Sequence, residues 1–302
     1  MLKHSAEPTD ALGLYQKKRW FYNYAGCLLE YVFDVELKKE LLIKLKQKGV
    51  DLFVFVHRTF LHPISTDTRY PFSSDFEDIA VMKIISYEDW WIKTIRKKER
   101  QSVKKAVKSG VEVRKVEVNE TFFRDLQAMY NETPFRQGRR YKHYGKNLQA
   151  IKADFHHIDE VLGAYLDGKL VGILGTAQGD RAAMLRVFSS SLKHRDTCPN
   201  NLLIAETVRR CAERQIPFLV YGNHYGFLPS LDRFRKHQGF FRFSIPRYYV
   251  PLTRSGQLAL ALGLHRSAYY TMPFMVERAL LPLYNYFSRI LPPKIWYRIG
   301  AE

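Results

Sequence analysis

Apolar residues along this chain follow two spacings, one helical and one alternating, and the switches between them outline its elements. In DVELKKELLIKLKQK (34–48), Leu37, Leu41 and Leu45 share one helical face; Asp34 can cap the start and Gly49 can end it. VDLFVFVH (50–57) and DIAVMKII (78–85) read as strands joined by a polar connection that contains proline. Residues 88–109 predict one long helix with Ile92, Ile95, Glu99, Val103, Ala106 and Val107 at helical spacing. Gly110 stops it, and VEVRKVEV returns to strand spacing. Asn119 is placed to cap a further helix to about Tyr130.

The pattern sharpens in the second half. VLGAYLDGKLVGILGTAQGDRAAMLRVFSS (161–190) holds three apolar segments split by Asp-Gly and Gly-Asp, dipeptides that favour tight hairpin turns. An antiparallel meander is expected. NLLIAETVRRCAERQ then predicts a helix lined on one side by Leu202, Ala205, Val208 and Ala212. PFLVYG (217–222) reads as a short buried strand, residues 228–238 as a helix, and FFRFSIPRYYVPL as a returning strand. No sequence repeat is found, although both halves mix helices with short strands, which is compatible with a divergent duplication.

At about 150 residues per domain, 302 residues allow one large domain or two small ones. Hydrophobic residues make up 46%, enough for a substantial core. The net charge is +18, from 48 Lys and Arg against 30 Asp and Glu. That balance favours anionic partners such as RNA, phosphorylated cofactors, acidic sugars or anionic lipid, and does not choose among them. The cysteines are Cys27, Cys198 and Cys211, an odd set without a CxxC pair. This argues against a disulfide framework or zinc site and suggests a reducing, cytoplasmic compartment. Cys198, near several cations, is a candidate nucleophile; Cys211, in a predicted helix, reads as apolar filler. The N-terminal MLKHSAEPTDALG has no apolar core of a signal peptide, and no stretch is long enough to predict a spanning helix.

Three stretches carry candidate chemistry. In SSSLKHRDTCPNNLLIAE (189–206), Lys193, His194 and Arg195 precede a helix start at which Asn200 is a good cap. Unpaired N–H groups and the helix dipole favour an anion there, and the cations would add charge-assisted contacts; the bland reading is an exposed turn. YNETPFRQGRRYKHYGKN (130–147) holds five Lys or Arg and no acid after Glu132. Arg136, Arg139, Arg140, Lys142, His143 and Tyr144 are candidates for substrate recognition, because guanidinium forks and aromatic faces suit phosphates, sugars and bases. The charged helix near 91–115, with ten Lys or Arg and two Glu, is either an anion-binding or a solvated face.

The residue order resembles the GNAT N-acyltransferase fold, and more closely its FemAB-like branch, in which two such domains are fused. Three stretches within residues 25–252 carry the resemblance: WWIKTIRKKERQSVKKAVKSGVEV, NLLIAETVRRCAERQIPFLVYG and LDRFRKHQGF. It implies an α+β fold of mixed, largely antiparallel sheets flanked by helices. The parts would be an extension (1–24), a degenerate first half (25–118), a second half with the donor loop (119–252) and a helical tail (253–302).

The resemblance also implies acyl or aminoacyl transfer to an amine from acyl-CoA or aminoacyl-tRNA, without a permanently bound cofactor or metal. Lys193, His194, Arg195, Asn200, Asn201 and Asn223 would then hold the donor. Tyr221 would donate a proton and His224 would accept one, both within YGNHY; the structural alternative is a core Tyr221 and a surface His224. Two departures lean away from CoA. The stretch His194–Pro199 lacks the glycines of the GNAT pyrophosphate loop, and Phe234 stands where a GNAT tyrosine acid is common. The acceptor could be a cell-envelope precursor.

The tail interleaves Tyr269, Tyr270, Phe274, Tyr284, Tyr286, Phe287, Trp296 and Tyr297 with Arg266, Arg278, Arg289, Lys294 and Arg298. This suits an interfacial helix on anionic lipid, or helices packed back on the protein. A peripheral location at the inner membrane face is the expectation from the first. A non-enzymatic RNA-binding protein on a transferase-like scaffold is the rival function.

Overall fold

A computed structural model describes residues 13–61, 70–136, 139–223, 229–266 and 286. Among these, ten strands form one sheet: β1 (Leu14–Arg19), β2 (Tyr22–Cys27), β3 (Leu52–Val56), β4 (Ser73–Lys83), β5 (Glu112–Lys115), β8 (Glu160–Leu166), β9 (Lys169–Gln178), β10 (Ala182–Ser190), β11 (Phe218–Asn223) and β12 (Phe241–Pro251). Their order across the sheet is β1-β2-β3-β12-β4-β11-β10-β9-β8-β5. Only β2–β3 and β10–β11 pair in parallel, so the sheet is mixed and largely antiparallel, as expected. The two-stranded β6 (Phe135–Arg136) and β7 (Arg139–Arg140) stand apart.

The last strand is the one that ties the sheet together. β12 lies between β3 and β4, pairing Tyr249 with Val54 on one side and Phe243 with Ile79 on the other. At the far edge β5 pairs with β8. Residues 14–24, read as an extension, instead build β1 and much of β2 at the opposite edge. The meander turns as its sequence demands: Asp167 and Gly168 both take left-handed backbone, at φ 49° and 76°, which suits a two-residue hairpin turn.

Seven helices of seven or more residues flank the sheet among the described residues. On one face, α2 (Lys97–Lys108) and α5 (Pro199–Glu213) bury Val103, Ala106, Leu203, Ile204 and Val208 against β8–β11. On the other, α3 (Glu120–Tyr130) and α4 (Leu148–Asp154) bury Phe122, Leu126, Tyr130 and Ile151 against Val161, Ile173 and Val187. Beside them on that face, residues 29–32 and 60–61 cover Val81, Met184 and Val220. Farther along, α1 (Lys39–Gln47) packs Leu45 on Phe53, Phe55 and Tyr248, and α7 (Arg254–Ala261) packs Ala259 on Tyr22, Leu52 and Tyr249. α6 (Pro229–Gln238) leads into β12.

The long helix expected over 88–109 is broken. A turn at Tyr87–Asp89 runs into a π-helical turn at Trp90–Thr94, Ile95 is extended at ψ 137°, and α2 starts two residues later. Tertiary contacts override the local pattern here. Trp90 is buried and its Nε1 donates to the Gln238 carbonyl at 2.8 Å, while the Arg96 N–H donates to the His237 carbonyl at 3.0 Å. Both bonds pin this stretch to the end of α6, and Ile95 turns into the core.

Candidate functional site

The site arises where β10 and β11 part. Their parallel pairing covers only Ala182–Phe218, Ala183–Leu219 and Met184–Val220. Beyond that, both strands continue without bonding to each other. On its other side β10 carries a bulge: Leu185 opposes Thr176 and Val187 opposes Gly175, leaving Arg186 as the extra residue. A bulge turns neighbouring side chains to one face. Leu185 packs with the α2–α5 core, whereas Val187 packs with α3 and α4.

A cleft of about 390 Å³ opens at this place. Its lining includes Leu28, Lys142, His143, Lys146, Asp154, Arg186, Phe188 and Tyr221. Phe188 and Tyr221 pack towards the α2–α5 face, their rings 5.7 Å apart. They reach the cleft because the sheet is open between their strands.

Charge in the cleft is mostly positive. Lys146 Nζ lies 2.6 Å from Asp154 Oδ2, and His143 Nδ1 lies 3.5 Å from the same oxygen, an ion-pair distance beyond a good hydrogen bond. Burial pushes Asp154 up, but His143 and Lys146 outweigh it and hold the carboxyl below its ordinary range. Loss of water holds His143 below the usual histidine range against the pull of Asp154. Lys142 is lowered by loss of water and then by Lys146. Arg186 donates weakly to the Leu28 carbonyl at 3.4 Å, and its Nε is buried without a partner. One carboxylate therefore faces three cationic side chains and a histidine.

The 130–147 stretch is docked on the end of β10. Arg136 Nη1 donates to the Ser190 carbonyl at 2.8 Å, and its guanidinium lies 3.8 Å over the Tyr141 ring. The Tyr141 hydroxyl meets Ser189 Oγ at 2.7 Å, and His143 stacks on buried Tyr130 at 4.5 Å. Glu132 accepts from Ser191 Oγ at 2.6 Å and from the Leu192 N–H at 2.9 Å, so it ties this stretch to the start of the 191–198 loop. Arg140 and Tyr144 sit in the same docked stretch, and Arg139 belongs to β7 by its backbone.

On the opposite wall, Tyr221 is enclosed by Phe188, Phe240 and the Arg235 guanidinium, 4.6 Å from its ring centre. Burial pushes its phenol up to about 12, with Arg235 pulling the other way. Tyr221 is therefore a neutral hydroxyl at physiological pH, with a proton to give. Asn223 ends β11 by its backbone; His224 and Tyr225 lie outside the described residues.

No family model and no curated protein sequence matches this chain. Solved structures do. FemX aligns over 82% of this chain and 86% of its own, with 11% identity and a TM-score of 0.56. The chain has the FemX fold. A conserved protein of unknown function from Bacteroides thetaiotaomicron VPI-5482 aligns over 80% of this chain and 82% of its own, at 10% identity and a TM-score of 0.52. The C-terminal domain of a putative lysylphosphatidylglycerol synthetase from Agrobacterium fabrum covers 82% and 83%, at 14% identity and a TM-score of 0.49. The expected α+β architecture, a mixed and largely antiparallel sheet flanked by helices, is thus one this chain shares with FemX.

Within the FemX fold the loop of Lys193, His194 and Arg195 lies off the cleft. None of the three lines it; Lys193 is exposed, and Arg195 pairs loosely with Asp196 at 3.7 Å. Asn200 is not the cap of α5. Cys198 is, with left-handed backbone at φ 58° and ψ 41° and without a side-chain cap bond, and Pro199 takes the first helical position. A β-carbon disfavours this conformation, which glycine adopts freely. Asn200 Oδ1 is buried without a partner, and Asn201 points its amide into the core, onto Glu99. The cleft cations that sequence reading left unassigned are Lys146 and Arg186. Arg186 had a usable signal: it is the only charged residue in the apolar run AAMLRVFSS.

Proposed function

We propose that this chain is an N-acyltransferase that moves an acyl or aminoacyl group from an activated donor to an amine. The observation that carries the reading is the parting of β10 and β11 beside a cleft with a neutral phenol on one wall and cations on the other. Strands that have stopped pairing leave backbone N–H groups free to meet a carbonyl oxygen. In the transfer, the amine nitrogen attacks the donor carbonyl, and negative charge gathers on the oxygen. Backbone donors at the parted strands stabilise that oxyanion. Tyr221 gives its proton to the departing thiolate or alkoxide, and His224, just after β11, takes the proton from the amine. Lys142, Lys146 and Arg186 hold the anionic part of a substrate, while Arg136 and Tyr141 brace the cleft wall. Lys193, His194 and Arg195, beside the start of α5, serve as outer counter-charges for a phosphorylated carrier.

The donor is acyl-CoA or aminoacyl-tRNA, both of which present phosphates to a strongly basic protein. The purified chain should be incubated with a panel of acyl-CoAs and of charged tRNAs, each with amine acceptors, and followed by mass spectrometry. Consumption of one donor class with acylated amine as product is the expected result. If no donor in either class is bound or consumed, the acyltransferase reading is lost.

A further inference from the structure

The β1–β2 hairpin turns on two aromatic residues. Trp20 has left-handed backbone at φ 45° and is 84% exposed, and Phe21 is 46% exposed. Glycine or asparagine would make such a turn with less strain, and a left-handed backbone is uncommon for a bulky side chain. Folding gains little from an indole left in water, so the strained turn invites a functional explanation.

The same corner carries α7. Arg19 Nη1 and Tyr22 Oη both donate to the Leu264 carbonyl, at 3.4 and 2.8 Å, which fixes the hairpin against the end of that helix. The inner side of α7 buries Gly256 and Ala259. Its outer side leaves Leu258 and Leu262, one turn apart, 51% and 60% exposed. These four large apolar side chains join none of the core clusters among the described residues.

Charge around them has one sign. Neither Leu14–Cys27 nor the stretch 253–266 contains Asp or Glu, and Lys17, Lys18 and Arg254 are exposed. The carboxylates bonded to these elements are already engaged. Asp51 accepts from the Asn23 N–H and the Thr253 hydroxyl, and Asp75 pairs with Arg266 at 3.0 Å. Lysines on the edge strand β1 have a plain structural use, since they discourage pairing with another chain. That use does not account for an indole and a phenyl ring at the turn, or for the leucines beside them. Aromatic rings set among cations without acids match the interface of an anionic bilayer, where rings sit at headgroup depth and lysine and arginine meet lipid phosphates.

We propose that the β1–β2 turn and the outer side of α7 form a docking surface for an anionic lipid bilayer. Trp20, Phe21, Leu258 and Leu262 enter the interface; Lys17, Lys18 and Arg254 face the headgroups. Charge complementarity selects lipid over a neutral protein partner. The chain also continues from α7 into residues 267–302, a stretch again rich in aromatic and basic residues. Docking here is independent of acyl transfer and stands or falls separately.

The test is flotation of the full-length chain with phosphatidylcholine vesicles, with and without phosphatidylglycerol. Binding is expected only with the anionic lipid, and weaker as salt rises. Replacing both Trp20→Ser and Phe21→Ser should lower the partition coefficient on the order of ten-fold or more, as should Leu258→Gln with Leu262→Gln. Thermal melts confirm that each variant is folded. Brominated lipid should quench the tryptophan emission of the wild type, and Trp20→Phe should lose part of that quenching while still binding. No binding to anionic vesicles overturns the proposal. So does equal binding by every variant, which would place the lipid contact elsewhere, for instance in residues 267–302. Self-association abolished by the same substitutions, without vesicle binding, would give the surface to a second copy of the chain.

Discussion

The Asn201 side-chain amide donates to Glu99 Oε2 at 2.6 Å, across 102 residues of sequence, and both side chains are buried. This bond joins the first turn of α5 to the first turn of α2. His237 Nδ1 stands 3.2 Å from the other Glu99 oxygen, which brings the end of α6 to the same carboxylate. Removing the amide leaves a buried carboxylate short of a donor. Asn201→Ala should therefore cost roughly 2–3 kcal/mol, read from the urea midpoint. Asn201→Asp, which sets two carboxylates in contact, should cost more. A midpoint unchanged in both would show that the bond does not support the fold.

Tyr221→Phe keeps the ring among Phe188, Phe240 and Arg235 and removes only the hydroxyl. If the phenol is the acid of the transfer, kcat should fall by about 10²-fold or more, with the melting temperature and KM little changed. Because burial raises the phenol to about 12, it stays protonated through the accessible alkaline range. Any loss of rate in the wild type below about pH 10 should therefore persist in Tyr221→Phe. A Tyr221→Phe enzyme with full activity removes the residue from the mechanism.

Arg247 is the centre of a buried network. Its Nη2 lies 2.7 Å from Glu30, its Nε bonds Glu77, and the Tyr31 hydroxyl also donates to Glu77. Arg247→Met would strand two buried carboxylates, at a cost of roughly 3–5 kcal/mol. Burial raises Glu30 from 4.5 to about 7, so the fold favours its protonated form. Stability from that proton is fully present below pH 4.5 and is lost as the pH rises through about 7. The penalty of Arg247→Met should accordingly be larger at pH 8 than at pH 6 when measured by denaturant titration, and Glu30→Gln should recover part of it.

His143 supplies an acid-sensitive point. Its lowered pKa means that the folded state prefers the neutral ring, whereas the unfolded chain takes up a proton near 6.5. The sign follows: stability is level above 6.5 and declines as the pH falls below it, until the folded ring is also protonated. His265, lowered mainly by burial, acts in the same direction. Lys142 and Lys146 face His143 and oppose its charging; Asp154 favours it. His143→Phe should reduce the drop in melting temperature between pH 7.5 and 5.5. An identical drop in that variant would contradict the assignment.

Much of the second half was legible because its signals are local. The Asp167-Gly168 turn depends on two backbone conformations that glycine and aspartate accept, and the Asn119 cap depends on one bond to the Phe122 N–H at 3.0 Å. The apolar side of α5 follows from helical spacing alone, and Ala205 and Val208 are buried as that spacing requires. The N-terminal hairpin gave a weaker pattern, since LYQKKR and YNYAGC lie at or next to a sheet edge where polar residues are tolerated.

By itself, then, the chain's residue order determined the meander, its following helix, the basic character and the family resemblance, all of which rest on neighbours within a few turns. Tertiary structure alone decided that β12 enters between β3 and β4, that the helix breaks at Ile95, and that Asn201 faces inward while Cys198 takes the cap. It also chose Lys142, Lys146 and Arg186 over the 193–195 cations as the lining of the cleft. Each of these outcomes turns on contacts between residues far apart in sequence, where the burial of a tryptophan or the company of a carboxylate outweighs local propensity.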